Sequence, residues 1–169
     1  MTAPSAGSVP ETLPVLAPPG ACVRPMEDGD VERVAAIESS AFTTPWKATT
    51  FRNLLERPGA VLLVLEVPPH RVAGYAVLWC IQDQGEIANI AVIPELRDRR
   101  LGAQLLDQVI EIARARGVAS LYLEVRVSNA RARSMYAARA FEEIGVRRDY
   151  YDNPREDGRV LVKRLSPSV

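Results

Sequence analysis

Residues 86–106, EIANIAVIPELRDRRLGAQLL, are the stretch on which the fold turns. Ile90, Ala91, Val92 and Ile93 form a continuous apolar run, as expected of a strand (Ile87 to Ile93) covered on both faces. Pro94 starts a turn, and from Leu101 the period changes. Leu101, Leu105, Gln108/Val109, Ile112 and Ala113 then fall on one face of a helix. Between strand and helix lies Arg97-Asp98-Arg99-Arg100-Leu101-Gly102, a loop that feeds straight into the helix N-terminus. Free backbone N–H groups and the positive end of the helix dipole meet there, which suits a phosphate or pyrophosphate. The three arginines add long-range attraction. On this loop alone, a solvated arginine turn with Gly102 as a packing residue is an equally good reading, because short phosphate motifs match by chance.

Working outward, residues 1–20 are rich in Pro, Ala, Ser and Gly and read as a disordered or loosely packed leader. A single domain over 21–169 follows. It opens with a short strand (Ala21 to Arg24) and a helix-start signal at Asp28-Gly29-Asp30. Val31, Val34, Ala35 and Glu38 then keep helical spacing to about Ala41. A second helix, Ala48 to Glu56, carries Phe51, Leu54 and Leu55. Strands follow at Ala60 to Val67 and Val72 to Ile81, with a turn at Asp83-Gln84-Gly85 before the opening strand. The long helix ends at Gly117. Leu121 to Val125 alternates as a strand, and Ser128-Asn129 caps a helix from Ala130 to Arg139. Phe141 to Arg148 and Arg159 to Leu165 read as a closing antiparallel pair around a polar loop, Tyr150 to Gly158. The strand–helix–strand unit in the middle requires a parallel pair, and the meander before it is antiparallel. The fold class is therefore α/β, a mixed, mostly antiparallel twisted sheet with helices on both faces.

Composition excludes more than it selects. With 169 residues, 47% apolar and 25% charged, the chain reads as an ordinary globular domain with a real core. Lys+Arg and Asp+Glu are 21 each, so no global charge points to nucleic acid or a membrane surface. Cys22, Cys80 and the single His70 lack metal-ligand spacing, so no metal site is expected and both thiols read as reduced in a cytoplasmic setting. No run is apolar enough to span a membrane, and no secretory signal is visible.

The loop Arg97-x-x-Arg100-x-Gly102 resembles motif A of the GCN5-related N-acetyltransferases, an R/Q-x-x-G-x-G/A loop that holds the pyrophosphate of acetyl-CoA. Arg100 stands where the family has its first glycine. The segment LEVRVSNARARSMY (123–136) is similar to the family's L-E-V-R-x-S-N-x-x-A-x-x-x-Y pattern. The resemblance covers nearly all of 21–165 and implies a central parallel pair that splays apart. Cofactor contacts are then implied for Ile90, Ala91 and Val92 on the splayed strand, for Arg97, Asp98, Arg99, Arg100, Leu101, Gly102 and Ala103 at the helix start, and for Asn129. A simple helix cap explains Asn129 as well.

Acetyl transfer from a thioester needs a deprotonated amine, a polarised carbonyl and a protonated leaving thiolate. No Ser/His or Cys/His pair is evident, since His70 sits in a Pro-rich turn, so direct attack within a ternary complex is the simpler chemistry. The resemblance implies Glu124 as base and Tyr136 as acid. A phenol (pKa about 10) can donate to a forming thiolate (thiol pKa about 8.5). The plainer readings are a core tyrosine for Tyr136, a strand-end carboxylate paired with Arg126 or Arg131 for Glu124, and a sheet-edge charge for Glu86. Thr44-Pro45-Trp46 with Phe51, the run Glu86 to Val92, and Arg147-Arg148-Asp149-Tyr150-Tyr151 resemble one branch, the bacterial ribosomal-protein-alanine N-acetyltransferases. That implies an acceptor site bordered by Trp46, Glu86, Tyr150 and Tyr151, and a protein N-terminus of a ribosomal small-subunit protein as partner. Two alternatives stay open: a transferase for a small amine or lysine side chain, and a CoA-binding partner protein without turnover.

Overall fold

The computed structural model describes residues 18–166, so most of the expected leader lies outside the described residues. The order is β1 (Cys22–Pro25), α1 (Val31–Ala41), α2 (Ala48–Leu55), β2 (Ala60–Glu66), β3 (Val72–Ile81), β4 (Gln84–Val92), α3 (Leu101–Ala115), β5 (Ser120–Arg126), α4 (Ala130–Ala137), β6 (Glu142–Tyr151) and β7 (Glu156–Arg164). One seven-stranded sheet runs β1-β2-β3-β4-β5-β7-β6. Every pairing is antiparallel except β4 with β5, which is parallel and crossed over by α3.

Alternation along the strands divides the core between the two faces of this sheet. On β3, Ala73, Tyr75 and Val77 face a cluster with Val34 and Ile37 of α1 and Phe51 and Leu54 of α2. Ala76 and Leu78 face the other cluster, with Leu105, Leu106, Val109 and Ala113 of α3. At the start of α1, buried Asp30 accepts from both terminal nitrogens of Arg24 at 2.7 and 2.9 Å. That guanidinium holds the Asp30 carboxyl below the usual carboxylate range.

Several boundaries shift from the sequence reading by a residue, and the larger shifts are these. β4 begins at Gln84, because Ile81 pairs with Gln84 across a tight turn in which Gln82 takes φ 56°; the turn expected at Asp83–Gly85 falls one residue earlier. α4 stops at Ala137, before Arg139. The closing hairpin is longer than expected. Tyr150 and Tyr151 end β6, and Glu156 to Gly158 begin β7, so the two tyrosines sit on a strand rather than in a polar loop. Arg126 secures that end of the hairpin. It donates to the carbonyls of Asp152 and Pro154, pairs with Glu156 at 3.1 Å and lies 4.4 Å over the Tyr151 ring.

Candidate active site

β4 and β5 pair only from Gln84↔Ser120 to Ile87↔Leu123. Beyond that point they part. β4 carries an extra residue there: Val77 pairs with Asn89 and Leu78 with Ile87, leaving Ala88 as a bulge. A bulge bends its strand and ends pairing on the far side. From Ala88 to Val92, β4 therefore presents backbone to an opening rather than to β5. The expectation that this run is covered on both faces is corrected accordingly: Ile90 and Ala91 are only half-buried, because their neighbouring strand has turned away.

At the far end of β4 lies the arginine loop. Arg97 turns back and donates from Nε to the Val92 carbonyl at 3.2 Å. Asp98 pairs with Arg131 of α4 at 3.0 Å, which ties the loop to that helix. Arg99 and Arg100 make no side-chain hydrogen bond or ion pair to the described residues, and both are exposed. Arg100 is the residue before α3 and has φ 58° and ψ 12°, the left-handed region that its missing glycine would occupy freely. A side chain in that region costs on the order of 1 kcal/mol. Arg100→Gly is therefore expected to leave stability unchanged or raise it by up to ~1 kcal/mol, the looser unfolded chain offsetting part of the relief. Acetyl-CoA affinity should stay equal or tighten, as read by denaturant melts and a binding titration. A large affinity loss would mean that the guanidinium itself holds phosphate. Gly102 has room for more: an added Cβ would sit 3.6 Å from Met135 Sδ and 3.9 Å from Val92, ordinary contacts.

Alternation along β5 sends its residues to opposite sides of the sheet. Leu123 and Val125 join the α3 side, where Tyr136 of α4 is buried edge-on to Phe141 at 5.5 Å. Ile90 of β4 packs against the same cluster, so Tyr136 and the open strand share it. Tyr122 and Glu124 face the other way, into a cleft of about 470 Å³ that no helix covers, together with Trp79, Gln84, Glu86 and Arg147. Glu124 pairs with Arg147 at 2.9 Å, not with Arg126 or Arg131 as its plainer reading supposed, because those two hold the hairpin end and Asp98. Glu86 is likewise no sheet-edge charge: it lies on the central strand, opposite Trp79 and Tyr122.

Three phenols stand around the opening, all biased toward the protonated form. Burial raises Tyr136, with Tyr151 adding to it. Burial and then the Glu124 charge push Tyr151 up to about 12. Contact with the Glu124 carboxylate holds the proton on Tyr150, above which Arg147 lies at 5.2 Å. Tyr151 thus responds to the Glu124 charge and in turn adds to the shift of Tyr136.

The remaining expected site residues fall differently. Asn129 is the N-cap of α4 and accepts from the Ala132 N–H at 3.2 Å. Trp46 is half-buried against Phe51 at 5.7 Å, and the cleft-lining residues do not include it. Its loop reaches the site by another residue, Thr43, whose Oγ1 lies 3.4 Å from Arg126. His70 is an exposed turn residue, and both cysteines are free. Among the described residues no cluster of potential ligands could hold a metal ion, and no helix is long and apolar enough to cross a membrane. Sequence reasoning did not assign Trp79, Tyr122 or Arg147 to the site. Tyr122 was recoverable, since it shares a face with Glu124 two residues on.

The one parallel pair of this mixed sheet opens toward a basic loop that leads into the N-terminus of α3. The acetyltransferase (GNAT) family model matches residues 31–141, and this chain belongs to that family. A Bacillus subtilis (strain 168) protein, provisionally named a ribosomal protein bS18-alanine N-acetyltransferase, is 39% identical over 142 residues, 83% of this chain and 93% of the relative. The ribosomal protein bS18-alanine N-acetyltransferase of Escherichia coli (strain K12) is 36% identical over 79% of this chain and 88% of its own length. The crystal structure of the E. coli ribosomal-protein-S18-alanine N-acetyltransferase superposes with a TM-score of 0.79 at 31% identity, covering 88% of this chain and 96% of that one. The chain is thus an N-acetyltransferase that resembles the ribosomal-protein-alanine branch.

Proposed function

We propose that this protein transfers acetyl from acetyl-CoA to the N-terminal amine of a protein, with a ribosomal small-subunit protein beginning in alanine as acceptor. The observation that carries the reading is the opening past Ile87 and Leu123, with Glu124 on its cleft side and Tyr136 on its α3 side. A donor held along β4 and at the α3 N-terminus would meet an acceptor entering from the cleft without either crossing the sheet. The donor's chemistry fits these residues: an unpaired strand edge for amide-bearing pantetheine, first-turn N–H groups and free arginines for phosphates.

In this reading the acceptor nitrogen attacks the thioester carbonyl. A C–N bond forms, the C–S bond breaks, the amine proton passes to Glu124, and the Tyr136 phenol gives its proton to sulfur. Backbone N–H groups of Ile90 to Val92 polarise the carbonyl, while Glu86 and Glu124 make the cleft attractive to an N-terminal ammonium. Tyr150 and Tyr151 are not among the cleft-lining residues, and in this reading they border the acceptor through their proximity to the Glu124 charge.

The test is acetyl-CoA-dependent thiol release with peptides varying in the first residue (Ala, Ser, Met, Glu) and an N-blocked lysine peptide. Turnover confined to free N-termini and led by Ala is expected. Turnover on lysine alone, or on no peptide while acetyl-CoA binds, overturns the reading. The pH profile follows from the phenols. The acid Tyr136 is raised, so its proton is retained as pH climbs, and kcat/KM should rise with deprotonation of the acceptor α-amine near about 8, then stay level to about pH 10. A falling limb between those values would remove Tyr136 from the acid role.

A further inference from the structure

Resting on that reading, we infer that Glu38 is a positioning residue that locks the acceptor-side loop to the open strand. Glu38 lies in the last turns of α1 and is 1% exposed. No cation among the described residues pairs with it. Instead three donors from three elements converge on its carboxylate. The Trp46 backbone N–H donates at 3.0 Å from the loop between α1 and α2. Asn89 of β4 donates from Nδ2 to both oxygens, each at 3.0 Å. The Tyr75 hydroxyl of β3 donates as well, and its own proton is held on by burial and by the Glu38 charge.

A buried carboxylate without a cation is costly, and an apolar residue would fill this space more cheaply unless the polar links matter. Neither of the two segments it links is held by regular pairing on both sides. Residues 42–47 carry neither helix nor strand. β4 beyond Ile87 has lost its β5 partner, and Asn89 directly follows the Ala88 bulge and precedes Ile90. The same loop touches the β5 end through Thr43 and Arg126. One carboxylate therefore sets the spacing between the loop at the acceptor side and the strand edge facing the donor. Misplacement of about 1 Å between reacting groups is enough to cost catalysis heavily.

Glu38→Gln puts an NH₂ among three donors and breaks the lock while conserving volume. Asp30→Asn, at the opposite end of α1, serves as a destabilised control with the lock intact. At a temperature where both are folded, Glu38→Gln should raise the peptide KM by about tenfold or more with acetyl-CoA affinity little changed, whereas Asp30→Asn should leave KM alone. Hydrogen exchange should quicken at 42–47 and at Ile90–Val92 in Glu38→Gln only. Should Glu38→Gln fail to fold, Asn89→Ala removes one arm and is expected to shift KM and exchange in the same direction. Unchanged KM and exchange, or losses that merely track the control, overturn the proposal. If the wild-type protein turns over no peptide, the N-terminal reading falls, and the exchange comparison still decides whether the lock exists.

Discussion

Replacing Glu124 by Gln is expected to lower kcat/KM for a peptide acceptor by about 10²- to 10⁴-fold, the usual range for a lost general base. The fold should barely notice. The Glu124 side chain is 17% exposed, its partner Arg147 is 58% exposed, and such a solvent-facing pair is worth about 0–1 kcal/mol. Melting temperature and acetyl-CoA affinity should therefore remain near wild type, and the amide keeps the carboxylate's shape. Tyr136→Phe should lower kcat without altering the peptide KM, because the ring and its contact with Phe141 persist and only the proton donor is gone. Steady-state kinetics on the peptide panel, with binding measured separately, check both. If neither substitution lowers turnover, the acid–base assignment is wrong. If acetyl-CoA binds but the wild-type protein shows no turnover on any amine, the alternative of a CoA-binding partner protein gains instead.

The second large effect is on stability. Phe51→Ala should destabilise by about 3–5 kcal/mol, read as a lower urea midpoint at unchanged slope. Phe51 is 0% exposed and central to an aromatic chain, 5.7 Å from Trp46 and 5.6 Å edge-on to Tyr75. Removing it leaves a cavity under α2 within its core cluster, and takes away the ring against which both Trp46 and the tyrosine that bonds Glu38 pack. That cost is a large share of the ~5–15 kcal/mol that holds a domain of this kind together. A loss below about 1 kcal/mol would show that α2 can settle inward, and that the aromatic chain is not the support of this corner.

Most of the element order was legible because periodicity is local. The change from the apolar run of β4 to the 3.6-residue spacing after Leu101 marks strand and helix without any knowledge of neighbours, and the crossover rule then requires β4 and β5 to be parallel. The Asn129 cap was legible for the same reason: its bond to Ala132 spans one helical turn. The longer closing hairpin was not. Tyr150 to Gly158 reads as a polar loop because it is polar, and its ends become strands through Arg126, which contacts it from β5 across more than 20 residues of chain.

The site divides along the same line. By itself the sequence determined the fold class and the basic loop at the start of α3; Glu124 and Tyr136 were singled out only by the likeness of residues 123–136 to the family pattern, since spacing alone reads Tyr136 as a core tyrosine. Only the tertiary structure decided that Glu124 and Tyr136 belong to opposite faces of the sheet, next to the point where β4 and β5 cease to pair. It also decided that Arg147, distant in sequence, holds Glu124, and that Arg100 takes a left-handed conformation. Glu38 is the plainest case. Its helical spacing places it on the apolar face of α1, where a carboxylate looks misplaced. Its reason to be there is three donors brought by a loop and two strands, and contacts of that kind are set by packing in space rather than by any pattern along the chain.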